Sequence, residues 1–112
     1  MKVSKVKMST RNLDDLVNYF VDQIQFDYEN HSEEISILVK EAFYLRTSST
    51  QNNMLIFKRS GNHILVDIIG SAGGTGLLNF SWGSEASFIN KVMHLLKDYC
   101  SLNRIELETL ND

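Results

Sequence analysis

Residues 54–69, MLIFKRSGNHILVDII, decide the fold that the sequence predicts. Two runs rich in branched and aromatic residues, 54–59 and 63–69, flank the short sequence SGN. Glycine followed by asparagine readily adopts the positive φ angles of a tight turn, and the flanking runs favour strands. The stretch therefore predicts an antiparallel β-hairpin.

The second strand of this hairpin is apolar on both faces. Its residues alternate between Ile64, Val66 and Ile68 on one side and Leu65, Asp67 and Ile69 on the other. A sheet face that meets water normally carries polar residues at such positions. Leu65 and Ile69 are therefore candidate interface residues, and we expect something to cover their face.

A long strand precedes the hairpin, because apolar residues recur at every second position from Ile35 to Leu45. Only Glu41 breaks that apolar face. A β-bulge near Lys40 and Glu41 would turn the carboxylate out to water, whereas a straight strand would point it into the core. In the straight strand, Glu41 becomes a candidate functional carboxylate.

Two amphipathic helices complete the pattern. The first carries an apolar stripe from Leu13 to Ile24, with Ser9, Thr10 or Asn12 as its N-cap. The second follows Ser84, and its core residues are Phe88, Val92, Leu95, Leu96 and Tyr99.

The remaining segments are less regular. Residues 3–8 predict a short edge strand whose lysines protect it against edge pairing. Residues 27–34 are polar and predict a solvated loop, and 77–82 predict a short last strand. The tail, 102–112, fits an added edge strand, a helix extension or a frayed end.

The predicted order is thus β-α-β-β-β-β-α in a single domain spanning residues 1–112. Hairpin connections need no crossovers, so the economical arrangement is an α+β fold with two layers. We expect an antiparallel sheet of about four to five strands with both helices on one face.

Residues 70–83, GSAGGTGLLNFSWG, hold five of the six glycines in the chain. Phosphate-binding and dinucleotide-binding loops lead directly into a helix, but a strand-like sequence follows here and no lysine follows Gly76. A bend or bulge before the last strand is the simpler interpretation. The alternative is an anion site in which backbone N–H groups act together with Ser71 and Thr75.

The sequence also resembles a known family at two motifs. FYLRTSS at residues 43–49 precedes GGTGLLNFSWG at 73–83, and together they resemble a family of small bacterial domains of unknown function. The resemblance covers roughly residues 34–99. It implies a bacterial, cytoplasmic protein, and it implies no activity or catalytic residues.

A polar group on the sheet is the other candidate site. Tyr44, Arg46 and Asp67 form a polar cluster if they lie on one face, with Trp82 at its border. A cross-strand ion pair without any function explains the same residues. His31, His63 and His94 have no ligand spacing, so we expect separate exposed histidines and no metal site.

Composition narrows the classes of function. The chain has 112 residues, 43% of them apolar, and a net charge of -3, which gives no basic surface for nucleic acid. Its single cysteine, Cys100, predicts a buried apolar residue in an intracellular protein. No signal sequence or membrane-spanning run is present, so we expect a cytoplasmic protein that contacts neither membrane nor nucleic acid and uses no cofactor.

The sequence favours a non-enzymatic interaction module whose sheet face or edge meets a second copy or another protein. The alternative is a domain that binds a small molecule or anion through the glycine-rich stretch and the region of Tyr44 and Arg46. No acid–base pair or nucleophile is identifiable from the sequence.

Overall fold

The computed structural model describes residues 2–44, 49–70 and 84–110. These residues form an α+β fold with one antiparallel sheet of six strands and two helices. In chain order the elements are β1 (Lys2–Met8), α1 (Leu13–Gln23), β2 (Tyr28–His31), β3 (Ile35–Tyr44), β4 (Ser49–Ser60), β5 (His63–Gly70), α2 (Ser84–Asn103) and β6 (Leu107–Thr109). The strands lie in the order β2-β3-β4-β5-β1-β6, so the sheet has six strands and not four to five.

The hairpin predicted from residues 54–69 is confirmed. β4 and β5 pair in antiparallel register from Met54 with Ile69 to Ser60 with His63. Gly61 has a φ of 60°, the left-handed conformation that glycine adopts without strain. Asn62 keeps a negative φ, which is the pattern of a two-residue turn with glycine first.

Both helices lie where the apolar spacing places them. Asn12 is the N-cap of α1, since its side-chain oxygen accepts a hydrogen bond from the N–H of Asp15 at 3.2 Å. α1 packs over β4, while α2 packs over β5 and β1. One buried cluster joins helix residues such as Phe20 and Leu96 to the sheet, so both helices cover the same face.

Two predictions about the edges of the sheet are wrong, and the tail fulfils two of the three alternatives left open for it. Residues 28–31 form the edge strand β2, because their backbone pairs with β3, although their side chains are polar enough to resemble a loop. β1 is not an edge strand, since it lies between β5 and β6. In the tail, α2 extends to Asn103, and residues 107–109 then form β6 beside β1. The predicted strand 77–82 lies outside the described residues.

The predicted bulge near Glu41 is also wrong. β3 pairs with β4 in one unbroken register from Ile35 with Lys58 to Tyr44 with Ser49. Glu41 is nevertheless exposed, because the face it shares with Ile35 is the one that the helices leave uncovered. The alternative of a straight strand with Glu41 in the core fails for the same reason.

Candidate functional site

The sheet presents rows of apolar side chains on the side opposite the helices. The rows follow from the strand register, since directly paired residues lie on the same face. The first row is Tyr28, Val39, Met54, Ile69 and Val3; the second is Asn30, Ile37, Ile56, Asp67 and Lys5; the third is Ile35, Lys58, Leu65 and Lys7. We refer to the surface formed by these three rows as the outer face.

The outer face is apolar over most of its centre. In β3, β4 and β5 the row residues alternate with residues packed toward the helices, such as Leu38, Leu55 and Val66, which are fully buried. The outer apolar residues are half-buried by their neighbours, except Tyr28 and Ile35, which are 53% and 39% exposed. A contiguous apolar surface of this kind marks an interaction site more often than scattered exposed residues do.

Two charged residues lie within this apolar surface. Asp67 is half-buried and is paired in register with Ile56, and Lys58 is exposed and paired with Leu65. Within the described part of the chain, neither side chain has an ion-pair partner within 4.0 Å.

The structure brings together three of the residues predicted for a site. Leu65, Asp67 and Ile69 share the outer face of β5, as the alternation predicts. Glu41 lies on the same face of β3, one row beyond Val39, where it is paired with Asn52. Its backbone N–H donates to Oδ2 of Asp27 at 2.6 Å, which satisfies a donor at the edge of β3.

Tyr44 and Asp67, two residues of the predicted polar cluster, lie far apart along the sheet. Ile37 shares the row of Asp67, and Tyr44 lies seven residues further along β3, a separation of about 24 Å at 3.4 Å per residue. The other candidate residues, Arg46, Ser71, Thr75 and Trp82, lie outside the described residues, as does the glycine-rich stretch after Gly70.

A serine, a histidine and a glutamate form a hydrogen-bonded series at the β2 edge. Nε2 of His31 lies 2.9 Å from Oε1 of Glu29, and its Nδ1 lies 3.1 Å from Oγ of Ser36. Ser36 is only 3% exposed, so a substrate cannot reach its hydroxyl. The series holds the edge strand to β3. Sequence reasoning missed it because residues 28–31 were interpreted as a loop, whereas a strand places Glu29 and His31 on one face.

Another polar contact joins the two helices. The hydroxyl of Tyr99 donates to Oδ2 of Asp15 at 2.6 Å, and the Tyr99 ring lies 5.2 Å from that of Tyr19. Burial raises the pKa of Tyr99 well above its ordinary value, and the hydrogen bond and negative charge of Asp15 raise it further. Burial also raises the pKa of the Cys100 thiol, which lowers its reactivity.

Among the described residues, one cavity flanks the outer face and another lies between the helices. One, of about 340 Å³, is lined by Lys7, Ser9, His63, Glu106, Leu107 and Glu108. The other, of about 270 Å³, lies between the helices beside Asp15, Asn18, Tyr19, Asp22, Tyr99, Leu102 and Asn103.

Among residues 2–44, 49–70 and 84–110, no three His, Cys, Asp or Glu side chains are grouped to hold a metal ion. The described helices include none that is long and apolar enough to cross a membrane.

Comparison with known families identifies the chain only at the level of its family. A model described as "Family of unknown function (DUF6054)" matches residues 6–100. The chain belongs to the DUF6054 family. No curated protein and no solved structure matches it. The expectation of a family of unknown function is confirmed, and the match carries no information on bacterial origin or on the glycine-rich motif.

The DUF6054 match includes most of the outer face. It begins at Val6 in β1, contains β2, β3, β4 and β5 entirely, and ends at Cys100 in α2. Val3 and Lys5 at one end of the rows, and the edge strand β6, lie outside it. The central apolar residues, including Ile37 and Ile56, are therefore part of the domain that the family shares.

Proposed function

We propose that this protein is a non-enzymatic interaction module that associates with a second copy of itself through the outer face. One observation carries the proposal: two residue rows align across β2, β3, β4, β5 and β1 and a third across β3, β4, β5 and β1, and they place apolar side chains at the centre of the face opposite the helices. In the dimer, the two sheets pack face to face about 10 Å apart, as in a β-sandwich.

The size of the outer face supports a dimer. Five strands about 4.8 Å apart and three rows about 6.8 Å apart give a footprint on the order of 500 Å² for each copy. A standard interface buries about 800 Å² on each partner. Glu41 and Asn52 at one end of the rows and His63 at the other extend the footprint to about 600 Å² for each copy, the low end of the size of specific interfaces.

The composition of the outer face resembles that of a protein–protein interface. Interfaces combine an apolar centre with a polar rim that stays in contact with water. Here Ile37, Ile56 and Met54 lie at the centre, while Lys7 and Glu41 lie at the two ends of the rows. A second copy of the chain supplies a surface of the same composition, because a two-fold interface uses the same patch on both subunits.

The test is native mass spectrometry of the purified protein over a range of concentrations. The test variant is Ile56→Lys, because Ile56 lies at the centre of the outer face. In a monomer the lysine stem lies along the sheet and its ammonium reaches water, so the fold is kept. In the dimer the ammonium is buried without a partner. The matched control is Leu102→Lys, since Leu102 is 78% exposed near the end of α2.

The wild type and Leu102→Lys are expected to be dimers that dissociate on dilution, and Ile56→Lys is expected to be a folded monomer. A dimer that persists in Ile56→Lys would contradict the use of the outer face. A wild-type monomer that retains a small molecule would contradict self-association and favour the ligand-binding alternative. A bare wild-type monomer at every concentration would also overturn the proposal.

A further inference from the structure

The cavity of about 270 Å³ between the helices, which we call the interhelical cavity, has the side chains of a site for an organic cation. It is lined by two carboxylates, two tyrosine rings, two side-chain amides and one leucine, and no Lys, Arg or His is among these lining residues. Carboxylates supply the charge opposite to that of a cation, and an aromatic face attracts a cation that lies within about 6 Å of the ring. The cavity therefore offers both kinds of contact.

Helical spacing brings the lining residues together. Asp15, Tyr19 and Asp22 follow one another at intervals of four and three residues, so they lie on one face of α1. Leu102 and Asn103 line the cavity from the last turn of α2, which contains no basic residue. The partial negative charge of a helix C-terminus favours a cation, so the end of α2 adds to the attraction of the two carboxylates.

The separation of the two carboxylates sets the length of the ligand. Asp15 and Asp22 are seven residues apart on α1, which is about 10.5 Å at 1.5 Å per residue. A carboxylate accepts from an ammonium group at about 2.8 Å, so two ammonium groups held between them lie about 5–10 Å apart. An extended chain of four or five carbons separates its terminal nitrogens by about 6–7.5 Å. A linear diamine of this length therefore reaches both carboxylates.

The middle of the interhelical cavity suits the alkyl chain of such a diamine. The rings of Tyr19 and Tyr99 lie 5.2 Å apart and are inclined at 54°. Leu102 is 78% exposed beside them, so a bound alkyl chain removes part of its apolar surface from water. The hydroxyl of Tyr99 donates to Oδ2 of Asp15 at 2.6 Å, which orients that carboxylate while its oxygens can still accept from an ammonium group.

We propose that the interhelical cavity binds a linear aliphatic diamine in its doubly protonated form. One ammonium group pairs with Asp15 and the other with Asp22, while the alkyl chain lies along Tyr19 and Leu102. The site is in the helix layer, on the opposite side of the sheet from the outer face. The proposal therefore goes beyond self-association and does not depend on it.

The test is a titration followed by the backbone amide signals of the isotope-labelled protein in NMR spectra, at pH 7, low salt and one protein concentration. The probe is cadaverine, the linear five-carbon diamine, and pentylamine is its partner with a single charge. Cadaverine is expected to bind with a dissociation constant on the order of 1 mM and to shift signals from α1 and α2. Pentylamine is expected to bind about fivefold more weakly, because it pairs with one carboxylate only.

A matched pair of variants locates the site. Asp22→Asn keeps the side-chain shape and removes one carboxylate, so its affinity for cadaverine is expected to fall to that of the wild type for pentylamine. Asp14→Asn makes the same change in net charge on the same helix, but Asp14 does not line the cavity, so its affinity is expected to stay unchanged. Circular dichroism of both variants establishes that they are folded.

Three outcomes would overturn the diamine site: no saturable shift of signals from α1 and α2, equal affinities for cadaverine and pentylamine, or equal weakening in Asp22→Asn and Asp14→Asn. The last of these would mean a general attraction to acidic side chains. Ile56→Lys is expected to bind cadaverine as the wild type does. Failure of the diamine site therefore leaves self-association standing, and a wild type that is always a monomer leaves the diamine site standing.

Discussion

Replacing Tyr99 by phenylalanine isolates the contact that joins α1 to α2. Phenylalanine keeps the ring that packs 5.2 Å from Tyr19 and removes only the hydroxyl that donates to Asp15. A hydrogen bond to a charged group contributes about 1.5–3 kcal/mol to stability. Asp15 is exposed, so water replaces the lost hydrogen bond in the variant. We therefore expect the lower end of that range, a decrease of about 1.5 kcal/mol in the free energy of unfolding at pH 7.

The same variant has a specific pH dependence. Burial, with the Asp15 contact, raises the pKa of Tyr99 in the folded state, so its contribution is complete below its unfolded pKa of about 10 and is lost as the pH rises above it. At pH 11 the free energy of unfolding of the wild type has fallen by about 1.4 kcal/mol through Tyr99. The phenylalanine variant has no hydroxyl at this position, so its free energy of unfolding does not fall for this reason. The difference between them should therefore nearly vanish at pH 11.

The assay is urea unfolding followed by circular dichroism at pH 7 and pH 11, at one fixed protein concentration. Tyr19→Phe is the control, because it removes a neighbouring tyrosine hydroxyl that has no hydrogen bond to any described residue. Equal stability of the wild type and Tyr99→Phe at pH 7, or a difference between them that stays constant to pH 11, would refute the reasoning.

Three further changes test the fold by urea unfolding. Phe57→Ala should cost about 3–5 kcal/mol, because Phe57 is fully buried with its ring 5.6 Å from that of Phe20; a cost below about 1 kcal/mol would mean that the site is not packed. Asn12→Ala should cost about 1 kcal/mol through loss of the cap on α1, and an unchanged midpoint would show that the cap is dispensable. Gly61→Ala should cost about 1 kcal/mol through its positive φ alone, since nothing lies within 4 Å of the added Cβ; a stabilised variant would contradict this.

The elements with strong local signals were predictable from the sequence. The β4–β5 hairpin follows from branched residues around glycine and asparagine, and both helices follow from apolar stripes that recur every three or four residues. The edge strand β2 lacks such a signal, because the side chains of residues YENH are all exposed although their backbone pairs with β3. The position of β1 depends on pairing with residues more than 50 positions away, which local patterns do not encode.

The candidate site was predictable only in part, because the pattern along a strand does not show which of its two faces the helices cover. Alternation along β5 correctly placed Leu65, Asp67 and Ile69 together. In β3 the more apolar set, which includes Ile35 and Ile37, faces away from the helices, while the buried side carries Leu38 and the polar Ser36. Alternation assigns residues to two faces but does not say which face the helices cover. The error at Glu41 follows directly from that.

Sedimentation equilibrium of the wild type and Ile56→Lys across the same concentrations shows whether the outer face binds a second copy. We expect the wild-type mass to rise with concentration toward twice the 12.8 kDa of one chain. The mass of Ile56→Lys should stay at 12.8 kDa. Identical masses for the two proteins at every concentration, whether of one chain or of two, would contradict the claim.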